Sequence, residues 1–237
     1  MAYFTRGDVS IHYGIHGDGF PVLLIAPGGM RSAIEFWADG PFNPIETLSE
    51  HFRVIAMDQR NAGSSTAPVS ASDGWHTYTA DQIGLLDHLG VERAHLMGAC
   101  IGGPYVLGII QSAPGRVASA VLQQSIGYDG DREIFYAMFQ GWADAIADQH
   151  PEADEAAWRS FRSNMYDGDF DFNVGQDFVR TVSTPLLVLM GDDAYHPQAI
   201  SRAIAAAAPN AQLVENWKSP EDGAAARVTG FLQAHTR

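Results

Sequence analysis

Short apolar runs, each closed by a glycine-rich or polar turn, set the rhythm of the chain. Residues 21–26, 52–57, 91–97, 117–123 and 185–190 are such runs, and 212–215 is a weaker one. Unbroken apolar runs of this length are what strands buried on both faces require. The first segment differs. Residues 3–6 and 9–15 alternate with period two around Gly7-Asp8, which predicts an antiparallel hairpin. His12 and His16 fall on the polar face of its second strand.

Between the runs the period changes to that of helices. Residues 78–89 place Ile83, Leu85, Leu86 and Leu89 on one face and stop at Gly90, leaving His88 on the solvated side. Helices are also predicted over 104–112, 198–208 and 221–234. Strands alternating with helices predict an α/β fold with a mostly parallel, eight-stranded sheet. One segment breaks the alternation. Residues 128–184 hold no convincing strand, only helical runs rich in Phe135, Tyr136, Phe139, Trp142, Trp158, Phe161 and Tyr166. We read 1–127 with 185–237 as the core and 128–184 as a helical cap. A segment inserted after a strand end lies over the side of an α/β sheet where ligands bind. Phe135, Phe139 and Trp142 are therefore expected to line an apolar substrate pocket.

Composition narrows the classes. A chain of 237 residues with 46% hydrophobic side chains fits one domain with an insertion. A formal charge of −14 disfavours nucleic acid and anionic membrane surfaces as partners. There is no apolar N-terminal segment and no apolar run long enough to span a bilayer, so a soluble cytoplasmic protein is expected. A single cysteine excludes an internal disulfide and any multi-cysteine metal site. No metal or organic cofactor is expected, and the partner expected is a small-molecule substrate.

That one cysteine sits in Gly98-Ala99-Cys100-Ile101-Gly102, directly after an apolar run and before a helix. This is the small-x-nucleophile-x-small pattern of a strand–turn–helix elbow, with cysteine as the central residue. The turn strains the central residue and leaves room only for small neighbours. The helix N-terminus behind it favours a thiolate. A second turn, Pro27-Gly28-Gly29-Met30-Arg31-Ser32, follows the 21–26 run and can aim backbone N–H groups at a developing oxyanion.

These parts, in this order, resemble the α/β-hydrolase superfamily from about residue 3 to residue 234. Pro27-Gly28-Gly29-Met30 is similar to the family's oxyanion loop. Asp58-Gln59-Arg60-Asn61-Ala62-Gly63-Ser64 is similar to its D-x-R-G-x-G-x-S loop, with Asn61 in place of the first glycine. Gly191-Asp192-Asp193 with Pro197 is similar to the loop that bears the triad acid. The resemblance implies Cys100 as nucleophile, as in dienelactone hydrolases. It implies the N–H groups of Ile101 and of Gly29 or Met30 as oxyanion donors, and Asp193 rather than Asp192 as the acid.

The pattern fails at one point. The family's histidine follows the last strand, where this chain has Glu215-Asn216-Trp217-Lys218-Ser219-Pro220. A thiolate can attack without a base, but ester cleavage also needs a proton donor and then a base for water. Three candidates stand for that role: Lys218 in the histidine's place, His196 beside the acid, and His76 before the 78–89 helix. The expected activity is hydrolysis of a small apolar ester, thioester or lactone through an acyl-cysteine. The alternative is a relative without hydrolytic turnover that serves binding, lyase or transfer chemistry.

Overall fold

The computed structural model describes residues 2–236. Its centre is an eight-stranded sheet in the order β1-β2-β4-β3-β5-β6-β7-β8. The hairpin of β1 (Ala2–Arg6) and β2 (Val9–His16) is antiparallel, as is the pairing of β2 with β4 (Arg53–Met57). The remaining neighbours pair in parallel: β3 (Pro21–Ile25), β5 (Ala94–Ala99), β6 (Val117–Gln123), β7 (Leu186–Leu189) and β8 (Ala211–Val214).

Strand periodicity divides the core into two layers. In β3, Leu23 and Ile25 face one layer while Val22 and Leu24 face the other. The first layer is covered by α2 (Trp75–His88), α3 (Gly102–Ser112) and α7 (Gln198–Ala207). The second is closed by α1 (Pro44–Ser49) and α8 (Ala224–Ala234), through Leu48, Val228 and Leu232. Residues 128–184 contain no strand. They form α4 (Glu133–Ile146), α5 (Glu155–Tyr166) and the short α6 (Gln176–Val179), which join the first layer through Phe135, Phe139, Trp142 and Phe161.

Two boundaries differ from the sequence pattern for local reasons. Helix α2 starts at Trp75, whose indole donates to the Met165 carbonyl at 2.7 Å and ties the helix to the end of α5. Helix α8 starts at Ala224 because Ser219 and Asp222 close a capping box over Pro220–Asp222, and Gly223 follows in the left-handed region at φ 65°. His12 is also not a surface residue. It is buried, with Nδ1 2.8 Å from Asp58 Oδ2, and it anchors the hairpin to the loop after β4.

Candidate active site

The turn after β5 is tightly constrained. Cys100 adopts φ 58°, a left-handed conformation uncommon for a residue with a side chain. Its N–H donates to the Gln123 carbonyl at 3.0 Å, and its own carbonyl accepts from Gly103 and from Ile126. The turn is so tight that a Cβ on Gly98 would stand 2.1 Å from the Gly102 carbonyl oxygen. One on Gly102 would stand 2.4 Å from the Ile25 oxygen. Glycine at both positions is thus a steric requirement, and the elbow it permits leaves Cys100 half-buried above the sheet.

Backbone donors converge on that sulfur. The N–H groups of Ile101, at the start of α3, and of Gly28, in the turn after β3, lie beside it and favour its anionic form. Gly28 is held at φ 115° and Gly29 at φ 58°, which turns the chain sharply into the helical turn Gly29–Arg31. The donor on the sulfur therefore comes from Gly28, before Gly29 and Met30. Met30 is buried, with its sulfur 3.4 Å from the Tyr166 hydroxyl, and Gly29 faces the Met138 side chain on α4. A signal for this lay in the sequence: Pro27 has no N–H, so Gly28 is the first residue of the turn able to donate.

The loop after β7 supplies the rest. Asp193 accepts at Oδ1 from the backbone N–H of Tyr195 at 2.9 Å and of His196 at 3.1 Å. These bonds fold the loop back on itself and set the imidazole of His196 against the same carboxylate, with Nδ1 2.8 Å from both carboxylate oxygens. Gly191 allows this, because a Cβ there would stand 2.3 Å from the His196 carbonyl oxygen. Nδ1 is thereby committed to Asp193. Nε2 is buried without a hydrogen-bond partner, and it is the ring atom left to serve the Cys100 thiol, whose charge acts on the imidazole.

The electrostatics follow from this geometry. Burial raises the Cys100 pKa, but the hydrogen bond and charge of His196, joined by the N–H groups of Gly28 and Ile101, bring it below the ordinary thiol value. Burial opposes the charge on His196 as well. Cys100 and then Asp193 outweigh it and carry the imidazole up to about 9. Burial likewise raises the Asp193 pKa, and His196 more than offsets it, holding the carboxyl below its usual range. Each partner favours the charged form of its neighbour, which tunes the pair toward thiolate and imidazolium.

The other two base candidates are elsewhere engaged. Lys218 forms an ion pair with Asp192, with the Lys218 side chain about one-third exposed and that of Asp192 half exposed. His76 is exposed at the start of α2, with Nε2 3.4 Å from the Thr77 hydroxyl, and lines a surface groove with Arg6 and Ile83. Beside Lys218 in the loop after β8, Trp217 is buried and donates through its indole to the Met190 carbonyl at 2.8 Å.

Above the thiol the surroundings are aromatic. Tyr166 is fully buried; burial first, and then the charges of Tyr78 and Cys100, hold its phenol neutral. Its ring packs on Phe135 at 5.6 Å, and Phe135 meets Tyr195, the neighbour of His196, edge-on at 5.6 Å. Phe135 thus belongs to the wall of rings beside the site. Phe139 lies further in, against Trp142 and Phe161. Trp142 donates to the Asn61 carbonyl at 3.2 Å and lines a separate cavity under α4. Tyr166 and Gly28 are the neighbours of the sulfur that the sequence pattern did not single out. Among the described residues, no three His, Cys, Asp or Glu side chains are grouped to hold a metal ion, and no helix is long and apolar enough to cross a membrane.

A mostly parallel sheet with a nucleophile elbow after its central strand, an N–H donor from the neighbouring loop and an acid after β7 defines the architecture of the α/β hydrolases. Residues 21–208 match that family, described as the alpha/beta hydrolase fold, and the chain belongs to it. The chain is 35% identical over 125 residues to RutD of Azorhizobium caulinodans, which carries the name of a carbamate hydrolase; the match covers 52% of this chain and 43% of that protein. It is 33% identical over 111 residues to 2-hydroxymuconate semialdehyde hydrolase of Pseudomonas sp. strain CF600, covering 47% and 38%. The chain thus spans less than half the length of these curated relatives. Among solved structures, the enol-lactonase from Burkholderia xenovorans LB400 superposes with a TM-score of 0.75 at 22% identity, covering 98% of this chain and 100% of that one.

Proposed function

We propose that this protein is a hydrolase that uses Cys100 as nucleophile, His196 as general acid and base, and Asp193 as the group that orients the imidazole. The observation that carries this reading is the placement of His196, committed to Asp193 through Nδ1 with Nε2 left for the thiol. The substrate class is a small ester, thioester or lactone.

The steps balance without any further reactant than water. The Cys100 thiolate bonds to the substrate carbonyl carbon, and the N–H groups of Gly28 and Ile101 take the developing oxyanion. As the carbon–oxygen or carbon–sulfur bond breaks, imidazolium His196 passes its Nε2 proton to the leaving alkoxide or thiolate. Acylation removes the negative charge that raised His196, so its affinity for a proton falls just as a base is needed. The neutral imidazole then takes a proton from water as the hydroxyl attacks the acyl-cysteine. The products are a carboxylic acid and the restored ion pair. One histidine on the acid loop thus supplies both functions that the loop after β8 lacks.

The relatives named as hydrolases support the reaction class, and the aromatic wall of Phe135, Tyr166 and Tyr195 supports a site that excludes bulk water. The direct test is turnover of p-nitrophenyl butyrate by the wild type and by Cys100→Ala. Turnover should be lost in the variant, and a variant as active as the wild type would overturn the proposal. Cys100→Ser should retain the fold and lose turnover by about 10²-fold or more, because a serine hydroxyl does not ionise beside an imidazole as a thiol does.

A further inference from the structure

We infer, on the reading that Cys100 is the nucleophile, that Met138 on the cap helix α4 is a positioning residue for the reaction: packed against Gly29, it holds the turn after β3 so that the Gly28 N–H stays beside the Cys100 sulfur.

The need for such a hold lies in the turn's own sequence. Pro27-Gly28-Gly29 carries two glycines in succession, at φ 115° and φ 58°. Glycine populates positive and negative φ about equally, so neither residue fixes the direction of the chain by itself. The core secures the two ends of the turn. β3 leads into it at Ile25, and Ser32, fully buried, donates its hydroxyl to the Ala26 carbonyl at 2.6 Å. Within the turn the backbone makes two bonds of its own, from the Arg31 N–H to the Gly28 carbonyl and from the Ser32 N–H to the Gly29 carbonyl, each 3.1 Å.

The middle of the turn meets the cap at three consecutive residues. A Cβ on Gly29 would overlap the Met138 sulfur and stand 3.2 Å from its terminal carbon, so the thioether lies directly on the Gly29 α-carbon. Met30 is buried and meets the Tyr166 hydroxyl of α5 at 3.4 Å through its sulfur. Arg31 donates to the Gly141 carbonyl of α4 at 2.6 Å, at the surface. Phe135, Met138 and Trp142 are three and four residues apart and so share one face of α4. Phe135 and Trp142 are buried in the first layer, which fixes the helix on either side of Met138.

Of these contacts, Met138 acts on the residue next to the donor, where a shift of the chain carries the Gly28 N–H with it. A gap at Gly29 lets the pair of glycines relax, and the donor then moves off the charge it stabilises. A hydrogen bond weakens steeply as it bends and lengthens, so a small displacement removes much of its effect on a developing oxyanion. The cap thus does more than wall the site: it keeps a donor of the reacting centre in place.

The test is Met138→Ala, with Met138→Leu as the volume-conserving variant. In Met138→Ala, kcat for p-nitrophenyl butyrate should fall about tenfold with KM within about twofold, short of the roughly 10²–10³-fold that loss of an oxyanion donor costs. The pH of half-maximal alkylation of Cys100 by iodoacetamide should rise by about 0.5 toward the ordinary thiol value, because the same N–H favours the thiolate. Met138→Leu should recover most of both. Met138→Val, a smaller truncation, should show the same changes with a kcat loss of about threefold, and it carries the test if the alanine variant does not fold. Four results in the larger truncation that folds, or in its leucine counterpart, would overturn the inference while hydrolysis by Cys100 stood. These are a kcat within twofold of wild type, a change confined to KM, a fall in kcat with no movement of the alkylation pH, and an equal loss in Met138→Leu. Turnover that persists in Cys100→Ala would instead remove the reading on which the inference rests.

Discussion

Two neighbouring loops at the same end of the sheet, one after β7 and one after β8, have taken opposite roles. The first is a short turn built around charge. Asp193 gathers two backbone N–H groups and an imidazole, and Gly191 lets the turn close over the backbone of His196. The second is built around packing. Trp217 is buried in the layer under α8, while Lys218 and Glu215 pair at the surface with Asp192 and Arg202. In the family pattern these loops share the acid and the base between them. On the proposed reading the acid loop holds both, and the loop after β8 holds an indole in the core. A triad depends on where its atoms meet, and the strand that delivers each atom is secondary.

The comparison can be broken most sharply at His196. His196→Gln should lower steady-state ester turnover by about 10³-fold, since it removes the proton donor and the base together. It should also raise the pH at which Cys100 reacts with iodoacetamide toward the ordinary thiol value, near 8.5. Turnover within tenfold of wild type would move the base elsewhere. In the wild type the imidazole is raised to about 9, so the charge pair loses its contribution to stability as pH rises through about 9. On the acid side it is lost as pH falls through the depressed value of Cys100. kcat/KM should accordingly follow a bell with its alkaline limb near 9, and an alkaline limb that survives in His196→Gln would refute the assignment.

The loop after β8 should fail differently. Trp217→Ala removes a fully buried indole and its bond to Met190, and should destabilise the protein by about 3–5 kcal/mol in urea unfolding. The kcat/KM of the folded fraction should change much less than in His196→Gln. Asp193→Asn comes next. It keeps the shape of the loop but weakens the hold on Nδ1, and should cost on the order of 10²-fold in turnover. The effect is smaller than for a buried acid because about half of the Asp193 side chain is exposed. Lys218→Met is expected to be the mildest change. An exposed pair with Asp192 contributes little, and turnover should stay within about twofold of wild type. Loss of deacylation in that variant, with Cys100 still alkylated, would restore Lys218 as the base.

The sequence was most informative where a residue type has one steric or dielectric reason to be present. Unbroken apolar runs required strands covered on both faces, and all eight strands formed close to the predicted bounds. Glycines on both sides of Cys100 required an elbow, because no other residue fits between α3 and β3. Asp193 was legible from its place in the loop after β7. What the sequence alone left open was the base. Lys218, His196 and His76 each occupied a loop or helix start near the ligand end of the sheet, and spacing did not separate them. Tertiary structure separated them by partners: Asp192 for Lys218, Thr77 for His76, and Asp193 with Cys100 for His196. Local sequence determines where a strand or a turn must be, because backbone sterics and burial act residue by residue. Which side chains meet across loops from different strands is decided only when the sheet brings those strand ends together.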